Sequence, residues 1–505
     1  MEKKDNQVGA ISARQEAVFS FLGLEAIALI VFGFAGATGL TILRAFSVCL
    51  ALFLYPLAKN RLSLKAIGKA DLLYLIPIGL LPFFLSFSSF HLAISGSSVS
   101  FALDGFVTCL GFFGVGLLGF FLSLLPRLKK VYILYGVVGA LALLVLITFL
   151  YSLFAYGPFY TVRYAGQVYY YDGVVFPIES EGKFLDGFTF VEVTLYYAKT
   201  ASVLLACSGV GLFALFFNRL GKKEAWALGV AASIGLLDLL FAPFLRGLLI
   251  VFAVYVVGLL SVLILKQRAK GEERAKKVDL VCKILFFVLL GLVVLGLILL
   301  FADSYLMGTG DGFLRKLPLI GTYFEEGGSL YRLEASISDI LFSIDSADRR
   351  YLDFTSFLFG AGEAQVYDLR LFEFQILYQN GFIAFALLLY FVFFFIAKGY
   401  KALTKSSGEN RLLLLSLLSI ALGGFLYLSF CDSEMPLKHP SELDGIFSSH
   451  SSNVLPFTRG SVALLFAFAF GVVYCESLGD KEAVEPEAKP QGESEYTYKE
   501  VKIDE

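Results

Sequence analysis

The chain has 505 residues, of which 57% are hydrophobic and 17% are charged, and its mean hydropathy is +0.76. These values exclude an ordinary soluble domain and are typical of a polytopic membrane protein. The formal net charge of −2 is close to zero, so the distribution of charge along the chain carries more information than its sum.

The predicted elements begin with a polar segment of mixed charge at residues 1–16. The apolar run that follows is too long for a cleaved signal peptide and has no small-residue exit site, so we predict a retained first span. Further apolar runs of spanning length predict an all-α, polytopic membrane domain at 17–476 with about 12 transmembrane helices. The predicted spans are 17–36, 40–58, 72–93, 101–125, 131–153, 196–218, 225–242, 247–265, 284–302, 378–397, 412–431 and 460–476.

The short loops between these spans predict the orientation of the chain. Lysines and arginines cluster in alternate loops, at 59–69, 127–130, 219–223, 266–283 and 398–411. Because cationic loops stay in the cytoplasm, both termini are predicted there, and the protein is predicted to lie in the cytoplasmic (inner or plasma) membrane. The loops predicted outside are 94–100, 154–195, 303–377 and 432–459.

Three further segments bear on function. The outer loop at 154–195 is rich in aromatic rings, which either anchor the membrane interface or stack on sugar rings. Asp238, within the seventh predicted span, is an intramembrane carboxylate that pairs with an arginine or marks a path. The tail at 477–505 is rich in Glu and Pro and is predicted to be disordered, acidic and cytoplasmic.

Several kinds of chemistry have no signal in the sequence. The six cysteines lie in or beside apolar runs without a CxxC pair, so neither a disulfide framework nor a metal site is predicted. No Walker-type GxxxxGK[ST] sequence is present, so the chain is not expected to hydrolyse nucleotide. No cofactor and no nucleic-acid partner are expected.

The large outer loop at 303–377, between spans 9 and 10, is the strongest candidate for function, because long polar insertions are more often functional than decorative. Within it, Ser329 to Asp348 has apolar residues at helical spacing and carries Arg332, Asp339 and Ser343 on the opposite face. This pattern predicts an amphipathic helix. Its polar face either meets a substrate or merely covers the bundle.

Arginines stand out in this loop, because acidic residues dominate the rest of it. The candidates among them are Arg332, Arg349, Arg350 and Arg370, whereas Arg315 and Lys316 lie nearer the entry of the loop and outside any pattern. Arg246 lies at the outer mouth between two spans. The guanidinium group is a planar fork of donors that matches phosphate oxygens, so a lipid-linked pyrophosphate is the expected ligand. The alternative for each arginine is an internal ion pair with a neighbouring acid.

The remaining candidates surround the loop. Gly360 and Gly362 form a turn, Phe359-Gly-Ala-Gly362, that lets the backbone approach a ligand closely, and Gly381 follows in Asn380-Gly381. Glu373 lies about one helical turn past Arg370 and is a candidate to accept a proton from a sugar hydroxyl, or else an ion-pair partner. His439 and His450, in the last outer loop, are the other catalytic candidates.

In order, these motifs are Arg246-Gly247, Arg332, Phe359-Gly362 and Asn380-Gly381, and this set resembles the O-antigen polymerase and O-antigen ligase superfamily. The resemblance runs from about Phe244 to Ile396. It implies a metal-independent, nucleotide-independent glycosyltransferase with an undecaprenyl-pyrophosphate-linked donor, in which Arg246 and Arg332 match the family's arginines and Glu373 falls where polymerases often carry a Glu. Leu245 replaces the usual Ser or Thr, and Arg370 stands where many ligases have a His-Asn pair.

The favoured hypothesis is therefore a polysaccharide polymerase that transfers a glycan from undecaprenyl pyrophosphate to a lipid-linked repeat unit. Its expected partners are the lipid-linked oligosaccharide, membrane lipids and other polysaccharide-assembly proteins. The alternatives are a lipid-linked oligosaccharide flippase or transporter, and an O-antigen-type ligase that acts on a different acceptor.

Overall fold

The computed structural model describes residues 13–32, 50–52, 54, 69–85, 99–125, 128–156, 161–164, 167–170, 200–217, 221–241, 245–307, 313–316, 358–359, 372–430 and 461–478. Within these ranges the chain is almost entirely helical, which confirms the predicted all-α class. The exception is one short hairpin, in the aromatic-rich segment 154–195 that is predicted to lie outside.

The first half of the chain has α1 (Ala13–Phe32), α2 (Lys69–Leu85), α3 (Val99–Leu124) and α4 (Lys130–Tyr156). The hairpin strands β1 (Thr161–Tyr164) and β2 (Gln167–Tyr170) pair antiparallel, with Thr161 opposite Tyr170. Helix α5 (residues 200–208) continues directly as a 3-10 helix, Gly209–Phe216.

The second half has α6 (Lys222–Phe241), α7 (Leu245–Arg268) and α8 (Glu272–Met307). A 3-10 turn, Leu314–Lys316, follows α8. The last three helices are α9 (Phe372–Lys405), α10 (Gly408–Phe430) and α11 (Ser461–Leu478).

Four of these helices contain stretches that are long and apolar enough to cross a membrane: Lys130–Ile147, Gly247–Arg268, Asn380–Lys405 and Gly408–Ser429. Four shorter apolar helices are Leu72–Leu85, Leu110–Leu124, Thr200–Phe216 and Val462–Leu478. Each of the twelve predicted runs contains helical residues within the described ranges, but a total of about twelve spans is not confirmed by them.

Helix α8 is longer than the apolar run that predicted it. It begins at Glu272, whereas the predicted span begins at 284, because its first turns are built from charged residues with good helix propensity. One pair of them, Lys277 and Glu273, lies at the i, i+4 spacing with Nζ and Oε1 2.8 Å apart. An apolar run therefore marks the part of a helix that avoids water, and the helix itself extends beyond it.

Helices α3 and α11 approach each other through glycines. A Cβ atom built on Gly471 of α11 lies 1.9 Å from the carbonyl oxygen of Gly116, and one built on Gly119 of α3 lies 2.3 Å from the carbonyl oxygen of Phe468. Both close neighbours are backbone atoms. The pair therefore packs backbone against backbone, as apolar helices with small residues at their interface do.

Glu476, near the end of α11, joins three helices. Its Oε1 accepts a hydrogen bond from Ser123 Oγ at the end of α3 and from Lys130 Nζ at the start of α4, both at 2.6 Å. Nearby, Lys405 Nζ at the end of α9 donates to the carbonyl oxygen of Ser477 at 3.1 Å. Consequently α3, α9 and α11 end, and α4 begins, at one end of the bundle.

The same end collects further cations. Arg268 of α7 donates from Nη1 to the hydroxyl of Tyr400 at 2.9 Å, and the guanidinium carbon of Arg411 at the start of α10 lies 4.4 Å from the ring centre of Phe217. We call this the cationic end. It brings together side chains from loops that the sequence predicts to share one side.

Candidate functional site

The predicted site residues divide into two groups. Arg246 is the second residue of α7, Glu373 is the second residue of α9, and Gly381 lies inside α9. The others lie outside the described residues, together with the predicted amphipathic helix Ser329 to Asp348. They are Arg332, Arg349, Arg350, Arg370, Gly360, Gly362, His439 and His450.

Arg246 and the start of α9 lie at the end of the bundle opposite the cationic end. This follows because α7 and α9 each finish at the cationic end, with Arg268 and Lys405. Helices α6 and α8 run in the reverse direction, so Phe241 and Met307 end them at the opposite end as well. The predicted site residues that are described therefore share one end.

Asn380 ties α9 to α2 at this opposite end. Its side chain is only 2% exposed, and its Nδ2 donates to the carbonyl oxygen of Leu85 at 2.7 Å. Leu85 is the last residue of α2, where a helix carbonyl has no partner within its own helix. Asn380 thus caps α2 from a position 295 residues away in sequence.

Gly381 breaks α9 immediately after this contact. Its φ of 81° and ψ of 176° are not helical, and this region of backbone space is essentially restricted to glycine. The break separates a short segment, residues 372–380, from the long apolar part of the helix. Broken helices with irregular backbone are typical of ligand sites within membrane proteins. Glu373 is carried on the short segment.

We expect Gly381→Asn to lower the thermal stability of the detergent-solubilised protein, because a side chain at this φ and ψ costs about 1–3 kcal/mol. The matched control is Gly408→Asn. Gly408 also has a positive φ, 52°, but that value is typical of the left-handed region that Asn tolerates, and a Cβ there meets nothing within 4 Å. Equal melting temperatures for the two variants would show that the break at Gly381 is not strained.

Phe359, the first residue of the glycine turn motif, contacts the same helix end. Its ring stacks on Phe84 of α2 with centroids 6.4 Å apart and an interplanar angle of 15°. Phe84 precedes Leu85, the residue that Asn380 caps. The end of α2 therefore joins two motifs, Phe359-Gly362 and Asn380-Gly381, that are separate in the sequence.

Asp303 lies near the end of α8, at the end of the bundle opposite the cationic end, and it is a further candidate that residue patterns did not indicate. Its side chain is fully buried, and its Oδ1 accepts hydrogen bonds from the backbone amides of Phe313 and, at 2.9 Å, Leu314. Its Oδ2 has no hydrogen-bond partner in the described part of the chain. Asp303 thus holds the backbone at Phe313 and Leu314, within the large loop, and its Oδ2 is a further acceptor oxygen. In the sequence, the only indication of this contact is that Asp303 is a carboxylate at the end of an apolar run.

Asp238, three residues before the end of α6, is a second buried carboxylate on this side. It is 8% exposed, and its Oδ2 accepts a hydrogen bond from Ser202 Oγ of α5 at 2.6 Å. A carboxylate within an apolar helix is costly unless it has partners, and such residues are usually functional. Ser202 supplies one partner that the sequence did not indicate.

Among the described residues, no group of three or more His, Cys, Asp or Glu is arranged to hold a metal ion. Among the described residues, the opposite end has the buried carboxylates of Asp238 and Asp303 and the helix break at Gly381, and Arg246 lies there as the second residue of α7. No family model, curated protein or solved structure matches this chain. The described residues define a helical protein whose apolar helices are compatible with a membrane.

Proposed function

We propose that the protein is a polysaccharide polymerase with about twelve membrane spans and both termini in the cytoplasm. It transfers a glycan from undecaprenyl pyrophosphate to a lipid-linked repeat unit at the outer face of the cytoplasmic membrane. The observation that carries the proposal is the ordered motif set Arg246-Gly247, Arg332, Phe359-Gly362 and Asn380-Gly381. Contacts at the end of α2, where Phe359 stacks on Phe84 and Asn380 donates to Leu85, support a common site for the last two motifs.

In this reaction, a hydroxyl oxygen of the acceptor sugar forms a bond to the anomeric carbon of the donor glycan. The bond between that carbon and the pyrophosphate oxygen breaks, and undecaprenyl pyrophosphate leaves with the electron pair. The hydroxyl proton passes to a base, for which Glu373, His439 and His450 are the candidates. No nucleotide is needed, because cleavage of the sugar–pyrophosphate bond drives the transfer.

The arginines have two tasks in this scheme. Arg246 and Arg332 bind the pyrophosphate of the donor, and they stabilise the negative charge that develops on it as the bond breaks. Arg349, Arg350 and Arg370 extend the cationic lining. The remaining oxygen of Asp303 is suited to accept a hydrogen bond from an arginine or a sugar hydroxyl near the start of the loop.

A flippase or transporter is the second candidate, and two observations favour it. Buried Asp238 lies within an apolar helix, and α9 is broken at Gly381; both features are common where a substrate passes through a membrane. A ligase, the third candidate, differs from the polymerase only in its acceptor.

Deletion of the gene in its native host distinguishes the three candidates. The lipid-linked oligosaccharides are extracted, sized, and assigned to a leaflet by their accessibility to an impermeant sugar-modifying enzyme added outside. A polymerase predicts single repeat units that accumulate on the outer leaflet. Accumulation on the inner leaflet would overturn the proposal in favour of a flippase, and full-length lipid-linked polymer would overturn it in favour of a ligase.

A further inference from the structure

A second feature, unrelated to the proposed reaction, is an apolar groove between α4 and α6. It encloses about 290 Å³ and is lined by Tyr135, Val138 and Ala142 of α4 and by Ala227, Ala231 and Ile234 of α6. The small side chains of the alanines, together with Gly139, leave the space open. Its volume lies at the lower limit of ligand pockets, so it is suited to a narrow apolar chain rather than to a bulky ring system.

The two helices run in parallel, and the groove begins near the start of both. Lys130 starts α4 at the cationic end, and α6 starts after the 3-10 helix whose last turn lies beside Arg411. From Leu134 to Ala142 the groove follows α4 for about 12 Å, at 1.5 Å per residue. One end of the groove, its mouth, therefore lies next to the cationic end.

Exposed aromatic side chains lie near the mouth of the groove, at the same height along the helices. Trp226, the only tryptophan of the chain, is 73% exposed, and Tyr132 is 46% exposed. Trp226 lies four residues before Val230, which lines the groove, so the two share a face of α6. Exposed Trp and Tyr side chains at the ends of apolar helices are typical of the lipid headgroup level.

Lysines near the mouth of the groove, at the starts of α4 and α6, supply positive charge there. Lys129 and Lys223 are exposed, whereas Lys130 is paired with Glu476. The acids on this side include Glu224 and Glu409, and each lies in the first turn of its own helix, where the helix dipole offsets part of the carboxylate charge. The carboxylate of Glu224 also folds back against the backbone of Gly221.

We propose that this groove binds an anionic glycerophospholipid, with one acyl chain between α4 and α6 and the headgroup phosphate at Lys129 and Lys223. The groove supplies the apolar surface, and the lysines supply a charge complementary to the phosphate. Juxtamembrane lysines attract anionic lipids, and two of them correspond to a preference of roughly thirty-fold over a zwitterionic lipid.

Trp226 makes the proposal directly testable, because its fluorescence reports on one place in the protein. The full-length protein is reconstituted in vesicles of phosphatidylglycerol and phosphatidylcholine, and one lipid at a time carries bromine on its acyl chain near the headgroup. Bromine quenches tryptophan on contact. At equal mole fractions, brominated phosphatidylglycerol is expected to quench Trp226 more strongly. Equal quenching by both lipids would overturn the proposal.

Two variants separate the headgroup contact from the groove. Lys129→Ala/Lys223→Ala is expected to remove the preference for phosphatidylglycerol and leave the fold intact, since both side chains are exposed. Gly139→Leu fills the groove and is expected to weaken quenching by phosphatidylglycerol, whereas the matched control Gly296→Leu on α8 leaves it unchanged. A Cβ on either glycine meets nothing within 4 Å, so neither variant introduces a clash at this atom.

Three results would contradict the proposal. The first is an unchanged lipid preference in the double lysine variant, and the second is unchanged quenching in Gly139→Leu. The third is quenching that falls as the protein density in the vesicles rises, which indicates that a second copy of the chain covers the groove. None of these readouts depends on glycosyl transfer, so the lipid site and the polymerase proposal fail separately.

Discussion

Arg246→Ala and Arg332→Ala are each expected to abolish polymer when they replace the wild-type chain, with single lipid-linked repeat units accumulating instead. If these guanidinium groups stabilise the leaving pyrophosphate, replacing either arginine removes hydrogen-bond donors from the negative charge that develops on the pyrophosphate as the bond breaks. Loss of a comparable donor from an enzyme site typically costs about 10²–10³-fold in rate. The measurement is the size distribution of polysaccharide in the complemented deletion strain, with protein levels checked by immunoblot.

Two further variants sharpen this test. Arg246→Lys keeps the charge and loses the fork of donors, so partial polymer is expected if bidentate phosphate contacts matter. Arg274→Ala is the matched control, since Arg274 is an exposed arginine on α8 near the cationic end and is expected to give normal polymer. Normal polymer from both Arg246→Ala and Arg332→Ala would remove the arginines from the mechanism.

Gly471→Ala is expected to prevent stable folding of the α3–α11 pair. The added methyl group meets the carbonyl oxygen of Gly116 at 1.9 Å and the amide nitrogen of Phe120 at 2.8 Å. Both are backbone atoms in a helix, so neither can rotate aside as a side chain can. We expect a loss of at least about 3 kcal/mol, at the upper end of the usual range for overpacking.

The measurement is thermal unfolding of the purified protein in detergent, together with its elution profile in size-exclusion chromatography. Gly296→Ala on α8 is the matched control, because a Cβ at that glycine meets nothing within 4 Å, and alanine has the higher helix propensity. Its melting temperature is expected to be unchanged or slightly higher. A Gly471→Ala protein as stable as wild type would show that α3 and α11 separate without cost.

The helices were predictable because their signal is local. Apolar runs identified the position of each long helix, including α7 and α10, since the cost of exposing apolar surface is read from consecutive residues. Helix ends were less predictable. The charged first turns of α8 extend past the apolar run, because Glu, Lys and Arg have good helix propensity. Helix α9 begins at Phe372, six residues before the predicted span.

The candidate site was predictable only as a set of motifs. Arg246, Glu373 and Gly381 are candidates from residue type and position, whereas the contact of Asn380 with the end of α2 was not predicted. Likewise, no sequence pattern indicated that Phe359 stacks on Phe84, or that Asp303 holds the amides of Phe313 and Leu314. Each of these contacts depends on where distant backbone segments meet.

By itself, the sequence determined that this chain is helical and apolar, where its helices lie, and which polar residues interrupt the apolar pattern. These properties follow from periodicity and composition over roughly 20 consecutive residues. Only the tertiary structure decided which helix ends lie close together in space. Asn380 and Leu85 are 295 residues apart, and the groove between α4 and α6 requires two helices separated by a hairpin and by α5 to pack in parallel. Such contacts are selected by the packing of the whole bundle, so no single stretch of sequence encodes them.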